Sequence, residues 1–361
     1  MKQLRLDSIL LLFATLLTFS SSLYAKDKNN EYKNIYYIKN TSVKNQQKTG
    51  TCWCFSTVSF LESEIIKSQN KELDLSEMFL VKEAYHQKIE NYVLRQGKAN
   101  FGQGGQAHDV IDAIQEKGLT PQSAFKGNTY GKVHNHTKLV EDLTAELNKD
   151  NSKKVLEDNW LMRADNILDQ YFGKEPTYFD YEGKHYTAKS FLASLNILLN
   201  DYIELTSYTH HPFNEKFILE IPDNWKNGEY YNVPIDRFMN IIDVALEKGY
   251  SVVWDGDVSE KTFQHSKGVA FIPKGTDVSQ KARQTTFYNK KTTDDHLMHL
   301  VGKAEKDGVF YYIIKNSWDT NSNSFGGYLY MSEDFVRLKT VAIMINKNAL
   351  SLNEHRLLDI K

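Results

Sequence analysis

Residues 53–66 carry apolar side chains at helical spacing, directly after a polar loop. This pattern predicts an amphipathic α-helix that extends to about Lys67. Its apolar positions are Trp53, Phe55, Val58, Phe60, Leu61, Ile65 and Ile66. The preceding loop contains Gln46 and ends in Gly50-Thr51-Cys52, so the pattern places Cys52 at the N-terminus of the helix.

The same patterning predicts elements along the rest of the chain. Ser76 is predicted to cap one helix, and Gly118 and Gly249 are predicted to end two others, over 107–117 and 236–248. The region at about 130–230 is charged and mainly helical in pattern, and we interpret it as an insertion. Predicted strands cover 34–38, 251–254, 298–304, 309–316, 327–331 and 341–345.

The first 25 residues differ in pattern from the rest of the chain. Lys2 and Arg5 precede an apolar run over 9–17, and Ala25 stands before a polar stretch. This predicts a signal peptide over 1–25, cleaved near Ala25, and export to the periplasm or the medium. The alternative, an uncleaved anchor, is disfavoured because the run is short for a membrane span, so no stable membrane anchor is expected.

Composition restricts the class of protein. The chain has 361 residues, of which 41% are hydrophobic and 25% charged, as in ordinary globular proteins. We predict one domain over 26–345 and a C-terminal tail over 346–361. The net charge of −2 and the lack of a Lys/Arg run disfavour nucleic-acid partners.

Cysteine usage singles out Cys52. It and Cys54 are the only cysteines, and side chains two apart on a helix point to different sides, so no disulfide is expected between them. A helix N-terminus favours a thiolate, and Gln46 could direct its amide N–H at an oxyanion beside the sulfur. The alternative is that Cys52 is a small buried hydrophobe, which is the commoner role of a lone cysteine. Cys54 is interpreted as a packing residue.

A candidate general base for this thiol, His296, lies in the C-terminal third of the chain. His296 begins one predicted strand and Asn316 ends the next, with a turn predicted near 306–308. The two residues are almost equally far from that turn, so we expect them to lie opposite each other. The Asn316 oxygen could then accept from the imidazole, and Trp318 could shield that hydrogen bond from water.

Other polar motifs do not predict a cofactor or a metal. The glycine-rich segment 102–105 lacks the ending of a phosphate-binding loop; it is either a structural loop or a place where a ligand approaches the backbone. His134, His136, His210 and His211 are interpreted as loop residues rather than metal ligands. We therefore expect neither a metal site nor a bound cofactor.

Taken together, the motifs resemble those of the papain-like cysteine proteases. The matching blocks are Asn45-Gln46, Gly50-Thr51-Cys52-Trp53, Gly104-Gly105, Asp295-His296 and Lys315-Asn316-Ser317-Trp318. The resemblance implies an α+β fold with an N-terminal helical lobe around a central catalytic helix. Its C-terminal lobe would be an antiparallel, β-barrel-like sheet.

Departures from the pattern indicate a branch of that family. His296 lies 244 residues after Cys52, against about 130–150 in papain-like enzymes, and the proposed insertion accounts for the excess. Thr49 and Gln103 stand where secreted relatives have cysteines, and Asp319 stands where a glycine is usual. These features resemble the bleomycin hydrolase and aminopeptidase C branch, whose members are typically cytoplasmic, so the predicted export is a departure.

The resemblance implies roles for single residues. Cys52 would be the nucleophile, His296 the general base and then acid, and Asn316 the group that orients His296. Gln46 and the Cys52 backbone N–H would form the oxyanion hole. Expected substrate contacts are Gly104, Gly105 and Asp295, and expected supporting residues are Trp53 and Trp318. The substrates would be peptides, and a homo-oligomer is compatible with the hexamers of the branch.

Three functions remain open at this level. The branch motifs favour an aminopeptidase, a papain-like endopeptidase is the alternative, and a non-catalytic peptide-binding protein on the same scaffold is a third. In the branch, the C-terminal tail lies in the cleft and restricts cleavage to N-terminal residues. Residues 346–361 are long enough to reach a cleft but do not resemble the usual ending of the branch.

Overall fold

The computed structural model describes residues 31–128, 133–153 and 156–360. From Tyr32 onward the chain forms one compact unit. The predicted signal peptide over 1–25 lies outside the described residues and stays a prediction. Among the residues described, no helix is both long and apolar enough to cross a bilayer.

The described residues form ten α-helices. They are α1 Cys52–Gln69, α2 Glu77–Leu94, α3 Ala107–Lys117, α4 Thr137–Lys153, α5 Trp160–Phe172, α6 Ala188–Ser194, α7 Ile235–Glu247, α8 Gln280–Tyr288, α9 Glu333–Lys339 and α10 Leu352–Leu357. The predicted cap at Ser76 is confirmed, because its side chain accepts a hydrogen bond from the Phe79 N–H. Gly118 and Gly249 follow α3 and α7 at positive φ, as expected of helix-ending glycines.

The strands are largely gathered in one mixed sheet. They are β1 Lys33–Tyr37, β2 Phe179–Tyr181, β3 Lys184–Tyr186, β4 Tyr202–Thr206, β5 Lys216–Ile218, β6 Glu229–Asn232, β7 Val252–Gly256, β8 Phe263–Gln264, β9 Val269–Ala270, β10 His296–Lys306, β11 Val309–Lys315, β12 Tyr328–Ser332 and β13 Thr340–Asn346. The sheet order is β5-β6-β4-β13-β7-β10-β11-β12-β9-β8, with β1 also on β10, while β2 and β3 pair separately. Most pairs are antiparallel, so the predicted α+β class is confirmed.

Helix α1 lies between the sheet and the other helices. It packs on β10 and β7 on one side and on α2 and α3 on the other. Its residues from Cys52 to Ile66 are all buried, including the polar ones. The sequence predicts an amphipathic helix, whereas the structure encloses α1 on nearly all sides, because helices cover the face that would otherwise meet water.

Strand β10 carries the candidate base at its first residue. It pairs with β7, β11 and β1, and the turn to β11 contains Asp307 and Gly308, both at positive φ. The register sets His299 opposite Lys315, so Asn316 is not directly opposite His296 as predicted. The offset arises because the turn lies at 307–308 rather than at 306, midway between His296 and Asn316, so that Lys306 pairs with Val309. The register shift between Leu300 and Gly302 adds a residue on β10 and reduces the offset by one position.

The face of the sheet away from α1 is covered by α7 and by the end of the chain. Ile345 of β13, Phe238 and Ile242 of α7, and Leu358 belong to one buried cluster. The Lys248 ammonium after α7 donates to the carbonyls of Ala349 and Leu350, at 2.9 Å each. The C-terminal tail, described to residue 360, is thus packed against this second core.

The region predicted as a mainly helical insertion is helical only in its first part. Helices α4 to α6 lie there, but β4, β5 and β6 follow and extend the main sheet beyond β13. The β-branched and aromatic residues of Tyr202–Thr206 favour a strand, and Leu205 and Thr206 are fully buried against the sheet. After β5, the chain passes over the N-terminal end of α3 before it forms β6.

Candidate active site

Cys52 is the first residue of α1 and is almost fully buried. Its sulfur accepts hydrogen bonds from the backbone N–H groups of Trp53 and Leu297, which lower its pKa. Burial outweighs them and raises the pKa of the thiol to about 12, with help from the charges of Asp294 and Asp255. The contact with Leu297 places Cys52 beside the start of β10, where His296 lies.

His296 is held by the amide of Asn316. The Nε2 atom of His296 lies 2.8 Å from the Asn316 Oδ1 atom, which also accepts from the Ser317 N–H at 2.7 Å. Because that oxygen is an acceptor, Nε2 of His296 is the donor, and its Nδ1 carries the free lone pair. The ring of Trp318 covers the imidazole at 4.7 Å between centroids. The predicted shielding role of Trp318 fits this position.

The environment of His296 favours the neutral imidazole. Burial lowers the pKa of His296 to about 4, the hydrogen bond that His296 donates to Asn316 opposes this, and the charge of His265 lowers the pKa further. Thiol and imidazole are therefore each uncharged when considered alone. Transfer of the proton from Cys52 to His296 creates both charges together, and their attraction offsets part of the cost of desolvation.

His265 is a neighbour that the sequence did not indicate. Its Nδ1 atom lies 3.3 Å from the Asn316 Nδ2 atom, and its ring stands edge-on to Trp318 at 4.7 Å. Asn316 therefore contacts an imidazole through each end of its amide. The signal was missed because His265 comes from a short irregular segment between β8 and β9, where no periodic pattern exists.

Gln46 is fixed against the segment that carries Asn316. Its backbone N–H donates to the Ser317 carbonyl at 2.8 Å, and its side-chain oxygen accepts from the Ser317 hydroxyl at 2.6 Å. One side-chain N–H donates to the Thr49 carbonyl at 2.7 Å. The amide is thus oriented on the same loop as Cys52, and its predicted oxyanion role stays a prediction.

Asp319, which replaces the usual glycine, has a positive φ of 83°. With a ψ of 149°, this conformation is close to a region that is essentially restricted to glycine, so the backbone of Asp319 is strained. The Asp319 carboxylate accepts from the Asn321 N–H at 3.0 Å and from the Asn45 side chain at 3.1 Å. The substitution thus adds a link between the Gln46 loop and the Trp318 loop.

Trp53 joins the catalytic helix to the glycine segment. Its indole N–H donates to the Gln103 carbonyl at 3.0 Å, and a Cβ added to Gly105 would lie 3.1 Å from its ring. The Gln103 side chain accepts from the Gly50 N–H at 2.7 Å. This hydrogen bond to Gln103 thus holds the loop before Cys52. Gln103 is one of the two positions where the resemblance places cysteines in secreted relatives.

Gly104 is covered by a residue of the insertion. A Cβ added to Gly104 would lie 1.9 Å from the Asp223 Oδ2 atom, so only glycine allows this approach. The buried Lys88 ammonium donates to the carbonyls of Gly102 and Gly104. Gly104 was predicted to line a cleft for extended substrate, and the structure shows Asp223 already against it. Sequence reasoning missed Asp223 because its position depends on the return path of the insertion.

Two adjacent aspartates before His296 face different partners. The Asp295 carboxylate accepts from the Thr293 hydroxyl at 2.7 Å and from the Val258 N–H at 3.3 Å. Asp294 instead accepts from the side chain of Gln106, next to Gly105, at 2.9 Å. The side chain that reaches the glycine segment is therefore Asp294, which the sequence did not single out, and the substrate contact of Asp295 stays a prediction.

One group of side chains has the composition of a metal site. His210, His211 and Glu220 bring their ligand atoms within 4.8 Å of one another in the part of the chain described. The Gln284 amide nitrogen lies 3.1 Å from the His210 Nδ1 atom. As a donor there, it leaves the proton on Nε2, which points to Glu220 at 3.1 Å. The three side chains are connected by hydrogen bonds, and their interpretation as loop residues rather than metal ligands stays a prediction.

The fold and the arrangement of Cys52, His296 and Asn316 define a protein of the papain-like cysteine peptidase class. The chain belongs to the Peptidase C1-like family, whose model matches residues 15–361. The predicted resemblance to the bleomycin hydrolase and aminopeptidase C branch is confirmed, and the protein is a cysteine-type peptidase.

Curated relatives and a solved structure agree with this assignment. Aminopeptidase W of Lactobacillus delbrueckii subsp. lactis is 24% identical over 85% of this chain and 81% of its own. Aminopeptidase C of Streptococcus thermophilus is 22% identical over 86% of this chain and 82% of its own. The crystal structure of PepW from Lactobacillus rhamnosis HN001 superposes with a TM-score of 0.74 at 19% identity, covering 90% of this chain and 84% of that one. That superposition shows the fold.

Proposed function

We propose that the protein is an exported aminopeptidase that uses Cys52, His296 and Asn316. The hydrogen bond between His296 and Asn316 carries the proposal, because it fixes the imidazole with Nδ1 as the free base. Cys52 lies beside the same strand at a helix N-terminus. The names of the aligned relatives support the aminopeptidase assignment.

The first half of the reaction forms a thioester. The Cys52 thiol gives its proton to His296 Nδ1 as the sulfur attacks the carbonyl carbon of the scissile bond. The Cys52 backbone N–H, which has no acceptor within its own helix, and the Gln46 side chain stabilise the oxyanion. The C–N bond then breaks, and His296 donates its proton to the departing amine.

The second half releases the acyl group. A water molecule gives a proton to His296 and attacks the thioester, and the oxyanion is held by the same donors. The C–S bond then breaks, and Cys52 recovers the proton from His296. Asn316 keeps the imidazole in one tautomer through both halves, so that Nδ1 always faces the sulfur.

Matched reporters test the activity. We expect hydrolysis of aminoacyl reporters with a free α-amino group, weak or no hydrolysis of their N-acetylated forms, and no activity of Cys52→Ala on either. Equal rates on both forms would establish the endopeptidase alternative instead. Failure of Cys52 to react with a thiol-protease affinity label at neutral pH would favour the peptide-binding alternative.

Export is proposed from the sequence, because residues 1–25 have the composition of a signal peptide. N-terminal sequencing of protein recovered outside the cytoplasm is expected to begin near Lys26. Recovery of the intact N-terminus from the cytoplasm would refute export. A homo-oligomer stays a prediction from the branch, for which light scattering of the mature protein is the measurement.

A further inference from the structure

A peptidase that removes N-terminal residues must recognise a free ammonium group close to the scissile bond. The α-ammonium of such a substrate is on the Cα that carries the attacked carbonyl, at the point where an endopeptidase substrate continues into its preceding residue. A group that recognises it must be anionic, close to the nucleophile and shielded from water, because exposed ion pairs contribute little affinity. This inference rests on the proposed aminopeptidase function and concerns which residues supply that group.

Asp223 occupies the required side of the cleft. Its carboxylate lies against the Cα of Gly104, and the next residue, Gly105, packs on the ring of Trp53. A substrate backbone that extended along Gly104 would collide with it. The structure therefore has an acidic side chain at the position where the second residue of an endopeptidase substrate would lie.

The segment that carries Asp223 is firmly anchored. The Trp225 indole N–H donates to the Asp109 carboxylate at 2.9 Å. The Asn100 side chain donates to the Pro222 carbonyl at 2.9 Å and to the Asp223 carboxylate at 3.1 Å. The Asn224 side chain donates to the carbonyls of Leu219 and Gly228. Contacts with α3 and with the loop before it hold Asp223 in place before any substrate arrives.

Asp255 reaches the same place from the sheet. It pairs with Leu297 across β7 and β10, and the Leu297 N–H contacts the Cys52 sulfur. Opposed residues on antiparallel strands project to the same face, so the Asp255 side chain lies on the Cys52 side. It is 2% exposed, and among the described residues only the carboxyl of Asp294 lies close enough to hydrogen-bond to it.

Asp294 completes the group. Its contact with Gln106 places it at the glycine segment, and its carboxyl lies close enough to Asp255 to share a proton with it. Burial raises the pKa of Asp294 to about 7, and the charge of Asp223 contributes to the rise. Three carboxyl groups thus converge beside Cys52. Their mutual repulsion and their burial make ionisation unfavourable, and a bound cation would offset this free-energy cost.

The cations nearby are already committed. The Lys88 ammonium donates to the carbonyls of Gly102 and Gly104, and burial lowers its pKa to about 8. His108 is paired with Glu204 at 2.7 Å. Neither makes a hydrogen bond to Asp255 or Asp294 in the described structure. The charge of Lys88 does act on Asp223, where it opposes the rise in pKa that burial causes, whereas Asp255 and Asp294 have no hydrogen-bonded cation among the described residues. We call the three carboxyl groups the acidic recess.

We propose that the acidic recess of Asp223, Asp255 and Asp294 binds the α-ammonium group of the substrate's N-terminal residue. Asp223 also closes the cleft at Gly104, so that binding of the ammonium and exclusion of further residues come from one structure. The recess thus sets the position of the scissile bond at one residue from the N-terminus.

The test compares a free-amino reporter with its desamino analogue, which keeps the side chain and loses only the amine. We expect the wild-type protein to prefer the free-amino reporter by at least tenfold in kcat/KM, since hydrogen bonds to charged groups have about this effect. Asp223→Asn and Asp294→Asn should each lower kcat/KM for the free-amino reporter by about tenfold or more, mainly through KM. Turnover of the desamino reporter should stay within about twofold.

Asp180→Asn is the matched control, because it removes the same charge from an exposed residue of the separate β2–β3 pair. It should leave both reporters unchanged. Titration of Cys52 with a thiol-protease affinity label gives the fraction of folded sites in each variant. A variant that loses both reporters and the label has lost its structure, and Asp255→Asn, which keeps the shape of the side chain, then serves as the alternative variant.

The outcomes separate this inference from the proposed function. The wild-type protein could hydrolyse the free-amino reporter while the variants keep the same ratio of kcat/KM between the free-amino and the desamino reporter. That result would overturn the assignment of the acidic recess and leave the proposed aminopeptidase function standing. No hydrolysis of either reporter by the wild-type protein would overturn the proposed function. A third set of reporters carries a blocked N-terminus and Lys or Arg before the cleaved residue. If the wild-type protein cleaves these and the variants do not, the recess binds a basic side chain instead of the α-ammonium.

Discussion

At the scale of single residues, Asn316 determines what His296 can do. Its oxygen accepts from His296 and Ser317, and its nitrogen lies against His265. These contacts fix the orientation of the amide and thereby the tautomer of His296. The orienting residue is thus itself oriented by two neighbours, which is what keeps a buried acid–base group in one geometry.

Asn316→Ala is expected to lower kcat for the free-amino reporter by roughly tenfold to hundredfold with little change in KM, because the imidazole loses its fixed tautomer. Steady-state kinetics at neutral pH measures this. Asn321→Ala is the matched control, since Asn321 is exposed on the neighbouring loop and contacts Asp319. A kcat for Asn316→Ala equal to that of the control would show that Asn316 does not orient the base.

The sequence allowed some of these residues to be predicted and not others. Cys52, His296 and Asn316 were predicted because each belongs to a local motif at an element boundary. Asp223 and His265 were not, because each lies in an irregular segment whose position depends on distant contacts. Asp294 was overlooked in favour of Asp295 because neighbouring side chains diverge, and the sequence alone does not say which one turns inward.

At the scale of elements, a buried ion cluster attaches the Gln46 loop to α1 and α2. The Lys44 ammonium lies 3.2 Å from Glu62, 2.7 Å from Asp74 and 2.6 Å from Glu77. Glu62 and Glu77 are buried, and the Lys44 ammonium is in direct contact with both carboxylates. Burial still raises the pKa of Glu77 to about 7, and Lys44 acts against that rise.

Lys44→Met is expected to lower the free energy of unfolding by about 3–5 kcal/mol at pH 8, because breaking a buried ion pair leaves its partner uncompensated. The pKa of Glu77 is above its unfolded value of about 4.3 and rises further without Lys44. The stability of the variant is therefore retained below that unfolded value and lost as pH rises through the folded pKa. The deficit should be smaller at pH 5 than at pH 8.

Urea unfolding of both proteins at the two pH values measures this prediction. Lys39→Met is the control, because the pair of Lys39 with Glu72 is exposed, and a change within about 0.5 kcal/mol is expected. An equal deficit for Lys44→Met at both pH values would contradict the role given to Glu77.

Long periodic elements were predicted well, and short ones were not. The helices α1, α3 and α7 and the strands β10 to β13 start and end close to the predicted residues. Helices α8 to α10 and strands β8 and β9 were missed. The missed helices have six to nine residues, which is at most about two and a half helical turns, and the missed strands have two residues each. These are too few periods for a pattern, so packing on neighbours decides their structure.

At the scale of the whole molecule, the C-terminal tail lies away from the glycine segment, whereas the resemblance to the branch leads one to expect it in the cleft. A residue of the insertion lies at that segment instead. The tail packs on the second core, with Leu358 buried and His355 between the carbonyls of Lys347 and Ile360. The residue that lies on Gly104 is Asp223, from the insertion. On the inference proposed above, the insertion within the domain sequence, rather than the C-terminal tail, restricts the site.

Deletion of residues 352–361 is expected to leave the preference for free-amino over N-acetylated reporters unchanged within about twofold. It should lower the thermal stability, because Leu358 no longer fills its place in the second core. Reporter kinetics and a melting curve measure the two effects. Loss of the preference in a protein that is still folded would show that the tail, rather than Asp223, restricts the cleft.

The hydrogen bond between Gly50 and Gln103 has a consequence for the conditions under which the enzyme works. Cys52 and Cys54 are free, and they are the only cysteines of the chain. A reductant therefore has no cross-link to break, and an oxidant can inactivate the protein through Cys52 without loosening its scaffold. Activity lost to mild oxidation should return fully on reduction, with no refolding step.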